Sequence, residues 1–328
     1  MITGTNPMQL TTTAAWPRLT LDEWASTQTT LHRWTQIVGK TRLALAPMQN
    51  HWWQVVLYVT ERGLGTSPIP YDDGRTFDVS FDFTDHKLIV TTSEGDVRTL
   101  PLVAQSVADF FAAYKALLGS LGIEVKIFPV PMEMGDTMRF DEDRTHASYE
   151  PEAAHRCFLA LAQADRVLKE FRGRFIGKAS PSHFWWGGFD LACTRFSGRP
   201  APAYPGKGPN CPDYVMQEAY SHECISAGWW LGNVGGPVAE PAFYAYSYPV
   251  PAGCDVAPVR PEAAYYHPDL REWILPYEAV RSAPDPDHAL LEFLQSTYDA
   301  AADLAKWDRL SLERPSGWRA PPSAAATR

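Results

Sequence analysis

Residues 76–83 read TFDVSFDF, and their alternation decides the fold. Phe77, Val79, Phe81 and Phe83 fall on one side of an extended chain, with Asp78, Ser80 and Asp82 on the other, because successive strand side chains point to opposite faces. Two more runs, HKLIVTT (86–92) and DVRTLPL (96–102), follow across short turns. Together they predict an antiparallel meander with one buried face. Upstream, 21–38 carries Leu21, Trp24, Leu31, Trp34 and Val38 at helical spacing, with Thr20 and Glu23 as a capping box. NHWWQVVLYVT (50–60) reads as a strand and GLGTSPIPYDDG (63–74) as a loop. A second helix is expected over 106–121, and VKIFPV (125–130) as a closing strand.

The second half starts again. Pro151 sits where a helix begins, and Ala154, Phe158, Leu161, Leu168 and Phe171 form its stripe. HFWWGGFDLACT (183–194), EAYSHECISAGWW (218–230), AFYAYSYPV (242–250) and REWILPY (271–277) are the expected strands, separated by Pro/Gly loops. A last helix follows the N-cap Asp285 and Pro286. Gly39-Lys40, Pro47 and His51-Trp52-Trp53 are echoed by Gly177-Lys178, Pro181 and His183-Phe184-Trp185-Trp186. Leu57-x-x-Thr60 is matched by Leu191-x-x-Thr194, and Leu100-Pro101 by Leu275-Pro276. This reads as an internal duplication. The expected class is α+β: two tandem pseudo-symmetric repeats, each a mostly antiparallel sheet flanked by helices. The boundaries are a flexible N-terminus (1–15), a first repeat (16–131), a linker loop (132–149), a second repeat (150–310) and a disordered tail (311–328). A cleft is expected near the shared axis, with His51 and His183 at equivalent positions.

The 328 residues are 45% apolar and 20% charged, as in globular proteins with a sizeable core. A net charge of −9 argues against nucleic acid and against an anionic membrane surface as partner. No secretory pattern opens the chain, and no run of eighteen uncharged apolar residues spans a membrane. The five cysteines contain no C-x-x-C, so reduced thiols and a cytoplasmic location are expected. Oligomeric state is not readable.

The stretches GK-x-R-L-A-L (39–45), NHWW, HFWWGGFDLACTRFSGRPAP (183–202), YSHE-x-x-S-x-GWW (220–230) and LPY-x-x-VR (275–281) carry a resemblance over roughly 16–313. The chain resembles the mostly bacterial domain-of-unknown-function family 5996. That resemblance implies no activity, cofactor or site residue.

Chemistry therefore has to come from the residues. His183, His222 and Glu223 are the candidate catalytic set, as imidazoles titrate near neutral pH beside a carboxylate. Histidines at strand ends also serve simply by bonding backbone. Alternation puts Tyr220, His222 and Cys224 on one face and Glu223 on the other, and sets His183, Trp185 and Phe189 against Trp186 and Asp190. His183 and His222 with one carboxylate would suit zinc or non-haem iron, though no H-x-x-x-H spacing pre-sets such a site. Candidate ligand-binding residues are His51, Trp53, Trp185, Asp190, Arg195, Trp229 and Tyr246, with Tyr244 and Tyr248 alternating beside Tyr246. Each Trp-Trp pair sends one indole to each sheet face, so the outer ones either are covered or wall a pocket for a planar or cationic ligand. Arg62 and Arg199, like Arg195, follow these strands and would suit an anion. Gly39-Lys40-Thr41 lacks the glycines of a P-loop, and no dinucleotide or G-x-S-x-G motif occurs. The readings left open are a small-molecule pocket with acid–base groups, a non-catalytic sensor or protein-interaction module, and a metal-dependent enzyme. The cofactor is unknown.

Overall fold

The computed structural model describes residues 15–72, 74–206, 208–232 and 235–315. The expected N-terminal flexible stretch and most of the expected tail lie outside the described residues. Helices α1 (Leu21–Leu45) and α2 (Val107–Gly119) bracket strands β1 (Tyr58–Val59), β2 (Gly63–Gly65), β3 (Ile69–Tyr71), β4 (Arg75–Asp82), β5 (Lys87–Thr92) and β6 (Val97–Pro101). Then come α3 (Pro151–Gly173), β7 (His183–Trp185), β8 (Asp190–Pro200), α4 (Asp213–Ala219), β9 (His222–Trp230), β10 (Ala242–Tyr248), β11 (Tyr265–His267) and β12 (Glu272–Pro276). Helices α5 (Tyr277–Arg281), α6 (Pro286–Leu304) and α7 (Arg309–Leu312) complete the chain. The class is α+β with two antiparallel six-stranded sheets. The first runs β1-β2-β4-β5-β6 with β3 also on β4, and the second β11-β12-β10-β9-β8-β7.

The sheets meet edge to edge at one point. Leu57 N–H donates to the Phe184 carbonyl at 2.9 Å, and Phe184 N–H to that of Leu57 at 2.8 Å. Both side chains are fully buried in one core that extends through both halves. Helix α1 crosses this seam. Its Trp24 and His32 rings pack on Phe189 of the second half, and Gln28 Nε2 donates to the Gly232 carbonyl. Trp186, on the core side of the 183–186 stretch, donates its indole N–H to Val55 O at 2.7 Å. A Cβ on Gly39 of α1 would lie 2.2 Å from that indole, so only glycine lets helix and tryptophan approach so closely. Buried Arg33 of α1 is paired with Asp136 and with fully buried Asp143, tying the 129–149 loop to the helix.

Several local expectations change. Thr20 makes no side-chain cap; the Leu21 N–H is taken instead by Glu240 Oε2, a carboxylate suited to a helix N-terminus. NHWW is not strand but a 3₁₀ turn, Asn50–Trp52, because contacts from distant α4 hold His51 (φ 57°) and Trp52 (φ 61°) left-handed. His51 therefore does not occupy the position of His183, which lies in β7. The 63–74 loop supplies two short strands to β4, whereas 125–130 finds no ladder partner. Residues 218–221 belong to α4 and a turn rather than β9. The tail does not begin at 311: α7 spans that residue and Glu313 bridges to Phe175. Asp285 caps α6 as expected, and Ser106 caps α2 by accepting from the Asp109 N–H.

The Gly39–Trp186 contact yields a direct expectation. Gly39→Ala should cost at least about 2 kcal/mol in urea-induced unfolding, since the added methyl meets a rigid ring rather than a flexible chain end. A cost near zero would show that α1 does not lie against Trp186.

Candidate functional site

Alternation gives the second sheet two unlike faces. One carries Leu191, Cys193, Ile225, Ala227, Trp229, Phe243, Trp273 and Leu275 into the main core. The other carries His183, Trp185, Asp190, Ala192, Thr194, Gly228, Trp230, Tyr244, Tyr246 and Glu272, with only a small apolar cluster around Ala192, Ala242, Tyr244 and Ile274. Asp190 shares a face with His183 and Trp185, contrary to simple alternation. The 186–189 hairpin, turning through left-handed Phe189 (φ 55°), resets the count, and Trp185 pairs directly with Asp190.

A ladder of tyrosines lies along this face. The rings of Trp230 and Tyr244 are 4.9 Å apart, those of Tyr244 and Tyr246 6.1 Å, and Tyr246 reaches the Tyr220 hydroxyl at 2.9 Å. Tyr204 stacks on Tyr220 at 4.3 Å, and Tyr248 meets both edge-on. Tyr244 crosses the strand to donate its hydroxyl to Asp190 Oδ2 in a short hydrogen bond. It does so over Gly228, where a Cβ would sit 2.6 Å from the tyrosine oxygen.

Two carboxyl groups stand in this aromatic setting. Burial, opposed by the Tyr244 hydrogen bond and reinforced by the Glu133 charge, pushes the Asp190 carboxyl up to about 7. Burial and then the charge of Asp190 push Glu272 up to about 8, and its Oε2 is buried without a hydrogen-bond partner. Among the described residues, the interactions that shift either group include none from a lysine or arginine. Near neutral pH Glu272 thus keeps most of its proton and Asp190 about half, where carboxylic acids are ordinarily ionised.

The histidines take separate places. His183 is buried among the rings of Trp53 (5.7 Å), Tyr58 (5.5 Å) and Trp185 (5.7 Å). Burial, then the charges of Arg42 and Arg172, lower its pKa to about 3, so it is neutral, and its Nδ1 has no partner. His51 lies beyond Trp53, stacked on Phe196 at 4.5 Å, with the His222 ring 5.8 Å further on. His183 and His222 are thus joined only through Trp53 and His51. Glu223 points to the other face, bonded to Arg199 and Ser197. The trio His183, His222 and Glu223 does not converge.

Arg195 and Trp229 also face away. Arg195 is buried on the helix side, stacked on Phe171 (3.5 Å) and Tyr298 (4.2 Å) and bonded to the Phe171 carbonyl. Trp229 packs on Phe243 and Tyr277 in the core. Arg62 is held by Asp82 and Asp85. The face therefore brings together Asp190, Trp185 and Tyr246 at one stretch and His51 and Trp53 at another. Its unforeseen members are Glu272, Tyr220 and the Asp190–Tyr244 contact. The alternating Tyr-x-Tyr-x-Tyr of β10 was the sequence sign of the ladder.

Among the described residues, no group of three or more His, Cys, Asp or Glu side chains is placed to hold a metal ion. One cavity of about 500 Å³ is walled by Arg18, Glu240, Tyr277 and Arg281, away from this face, and one of about 180 Å³ borders the ladder at Tyr248, with Glu223, Cys224 and Trp307. No helix among the described residues is long and apolar enough to cross a membrane.

Fold and face together define an α+β protein of two interlocked antiparallel sheets, one bearing an acid- and tyrosine-lined surface. The chain belongs to the family of unknown function DUF5996, whose profile matches residues 16–314. Searches of curated proteins and of solved structures returned no match.

The carboxyls make stability depend on pH with a definite sign. Their folded-state pKa values lie above the unfolded ones, so the folded chain binds more protons between about pH 4 and 8. Their contribution is fully present below about pH 4 and is lost as pH rises through 7 and 8. In urea melts, the wild type should lose on the order of 2–4 kcal/mol between pH 5 and 9 beyond what an Asp190→Asn/Glu272→Gln variant loses. Parallel pH profiles for the two proteins would contradict these assignments.

Proposed function

We propose that the protein binds a small organic cation against the tyrosine-lined face of its second sheet, exchanging it for protons held by Asp190 and Glu272. The observation that carries this reading is the pair of buried, proton-holding carboxyls at the side of a five-tyrosine ladder, with Glu272 Oε2 unpartnered. Burying an unpaired acid costs stability, which is offset when a positive ligand arrives. Aromatic faces add about 0.5–2 kcal/mol of attraction for a desolvated cation. Carboxyls poised near neutral pH would also serve as general acids toward a bound substrate, with Tyr244 relaying through its hydrogen bond to Asp190.

We further infer that the halves descend from one duplicated unit. Support comes from matching meanders, β1-β2-β4-β5-β6 and β7-β8-β9-β10-β12, each following a long helix; α2 follows the first, and the short α5 and then α6 follow the second. Leu100-Pro101 and Leu275-Pro276 close β6 and β12, and the seam pair Leu57–Phe184 is an antiparallel bridge that a two-fold axis would leave unchanged. That axis equates Tyr58 with Trp185. We place the protein in the cytoplasm, a reading supported by five unpaired, buried cysteines.

Isothermal titration with tetramethylammonium, choline and benzylamine in buffers of different ionisation enthalpy tests the binding. Saturable binding of a cation with release of about one proton near pH 7.5 is expected, weakened at least tenfold, about 1.4 kcal/mol, in Asp190→Asn/Glu272→Gln. Equal binding of neutral isosteres, or cation binding untouched by the substitutions, would contradict the proposal.

A further inference from the structure

At the other end of the same face, six positions along β8 from Asp190, lies a group that the cation site does not use. Lys178 extends beside β8: its carbonyl accepts from the Phe196 N–H at 3.0 Å, and Ala179 bridges to Arg195. That register lays the exposed Lys178 side chain over the rings of Phe196 (4.8 Å) and Trp53 (5.4 Å), with Nζ 2.7 Å from His51 Nε2.

His51 is set for one task. Its Nδ1 faces only acceptors, the carbonyls of Glu218 (3.2 Å) and Ala219 (3.1 Å), so Nδ1 carries the proton and Nε2 presents a lone pair to the lysine. Its backbone N–H donates to Glu218 Oε1 at 2.8 Å, and its ring is clamped against Phe196. Holding this pose requires two successive bulky residues, His51 and Trp52, in the left-handed region. Such strain costs about 1–3 kcal/mol per residue and gathers where a side chain must be aimed.

We propose that Lys178 is an activated amine that forms an imine with an aldehyde carrying a flat apolar body, with His51 as its proton acceptor. His51 Nε2 takes a proton from the ammonium. The free Nζ electron pair forms a bond to the carbonyl carbon, the carbonyl oxygen takes a second proton from that nitrogen to become a hydroxyl, and the hydroxyl leaves as water with the proton returned by His51 as the nitrogen pair closes the C=N bond. The balance is ammonium plus aldehyde giving protonated imine plus water, with no oxidant or reductant needed. The half-buried Trp53 ring supplies the surface for the flat body, while buried Phe196 forms the floor beneath Lys178 and His51. The titratable groups facing the amine are His51, Glu218 and, behind His51, His222. Partial burial lowers the proton affinity of Lys178, against the opposing pull of Glu218. Burial and then the Lys178 charge lower that of His51, which keeps its Nε2 lone pair free at neutral pH.

Benzaldehyde with cyanoborohydride, which traps the imine as a stable secondary amine, tests this on the full chain. Peptide mapping by mass spectrometry would compare Lys178 with exposed Lys306 and with Lys115, which has an aromatic neighbour but no imidazole. At pH 7, Lys178 should be modified at least tenfold faster than either, and its rate should level off at a lower pH than theirs. His51→Gln, checked for folding by tryptophan fluorescence, should abolish the advantage. Equal rates for the three lysines in the wild type, or an undiminished advantage in folded His51→Gln, would overturn the assignment. Should the variant not fold, the wild-type rates and pH profile decide alone.

Discussion

Everything distinctive about this chain depends on the two hydrogen bonds between Leu57 and Phe184. They fix the register of β7 against the first sheet, with both side chains in the shared core. Strand geometry then leaves no choice for their neighbours: Trp186 turns inward onto Gly39 and Val55, while His183 and Trp185 turn to the opposite face. A slip of one residue would bury His183 among the helices and expel Phe184. The join also brings the strained 50–53 turn of the first half over the second sheet, where α4 holds it through Glu218 and Val215.

The two faces of the second sheet spend their polar groups in different ways. Toward the helices, buried charge is covered: Arg195 is stacked between rings and bonded to a backbone carbonyl. Arg33 in α1 is treated likewise, between two aspartates. Toward the tyrosines, Asp190 has one hydroxyl for company, Glu272 Oε2 has none, and His183 Nδ1 has none. Leaving a buried polar atom unmet costs about 1–3 kcal/mol. Unmet buried atoms occur on the core side as well, at Arg195 Nε, Trp229 Nε1 and Trp273 Nε1, but only toward the tyrosines do they include a carboxyl oxygen and an imidazole nitrogen, groups that can exchange a proton with a ligand. The local rules of sequence and stability are broken together there and at His51-Trp52, as is usual of functional sites.

The sequence carried the fold well where patterns are local. TFDVSFDF named the meander, the stripes of 106–121 and 151–171 named helices, and Asp285 named the cap of α6. It misled where distant contacts override propensity. NHWW has the composition of a strand, yet Glu218 and Val215 hold it as a turn. Gly63–Gly65 looks like loop and becomes strand because the edge of β4 needs a partner. The site was half legible. Asp190, Trp185 and Tyr246 could be named from alternation, but the hairpin through Phe189 reversed the face of Asp190. Glu272 opens β12, and only the long-range β10–β12 register brings it to the tyrosines. Arg195 and Trp229 have the residue types of a ligand site but fall on the core-facing side of the same strands.

The central claim is that Asp190 and Glu272 hold their protons into the neutral range beside the tyrosine ladder of the second sheet. Carboxyl-carbon NMR titration of the selectively labelled whole protein measures this directly, with Asp190→Asn and Glu272→Gln assigning the two signals. The expected result is two carboxyl carbons titrating near pH 7 and 8, each shifting when the other is replaced. Both signals titrating at about pH 4, the ordinary value for carboxylates in water, would contradict the account.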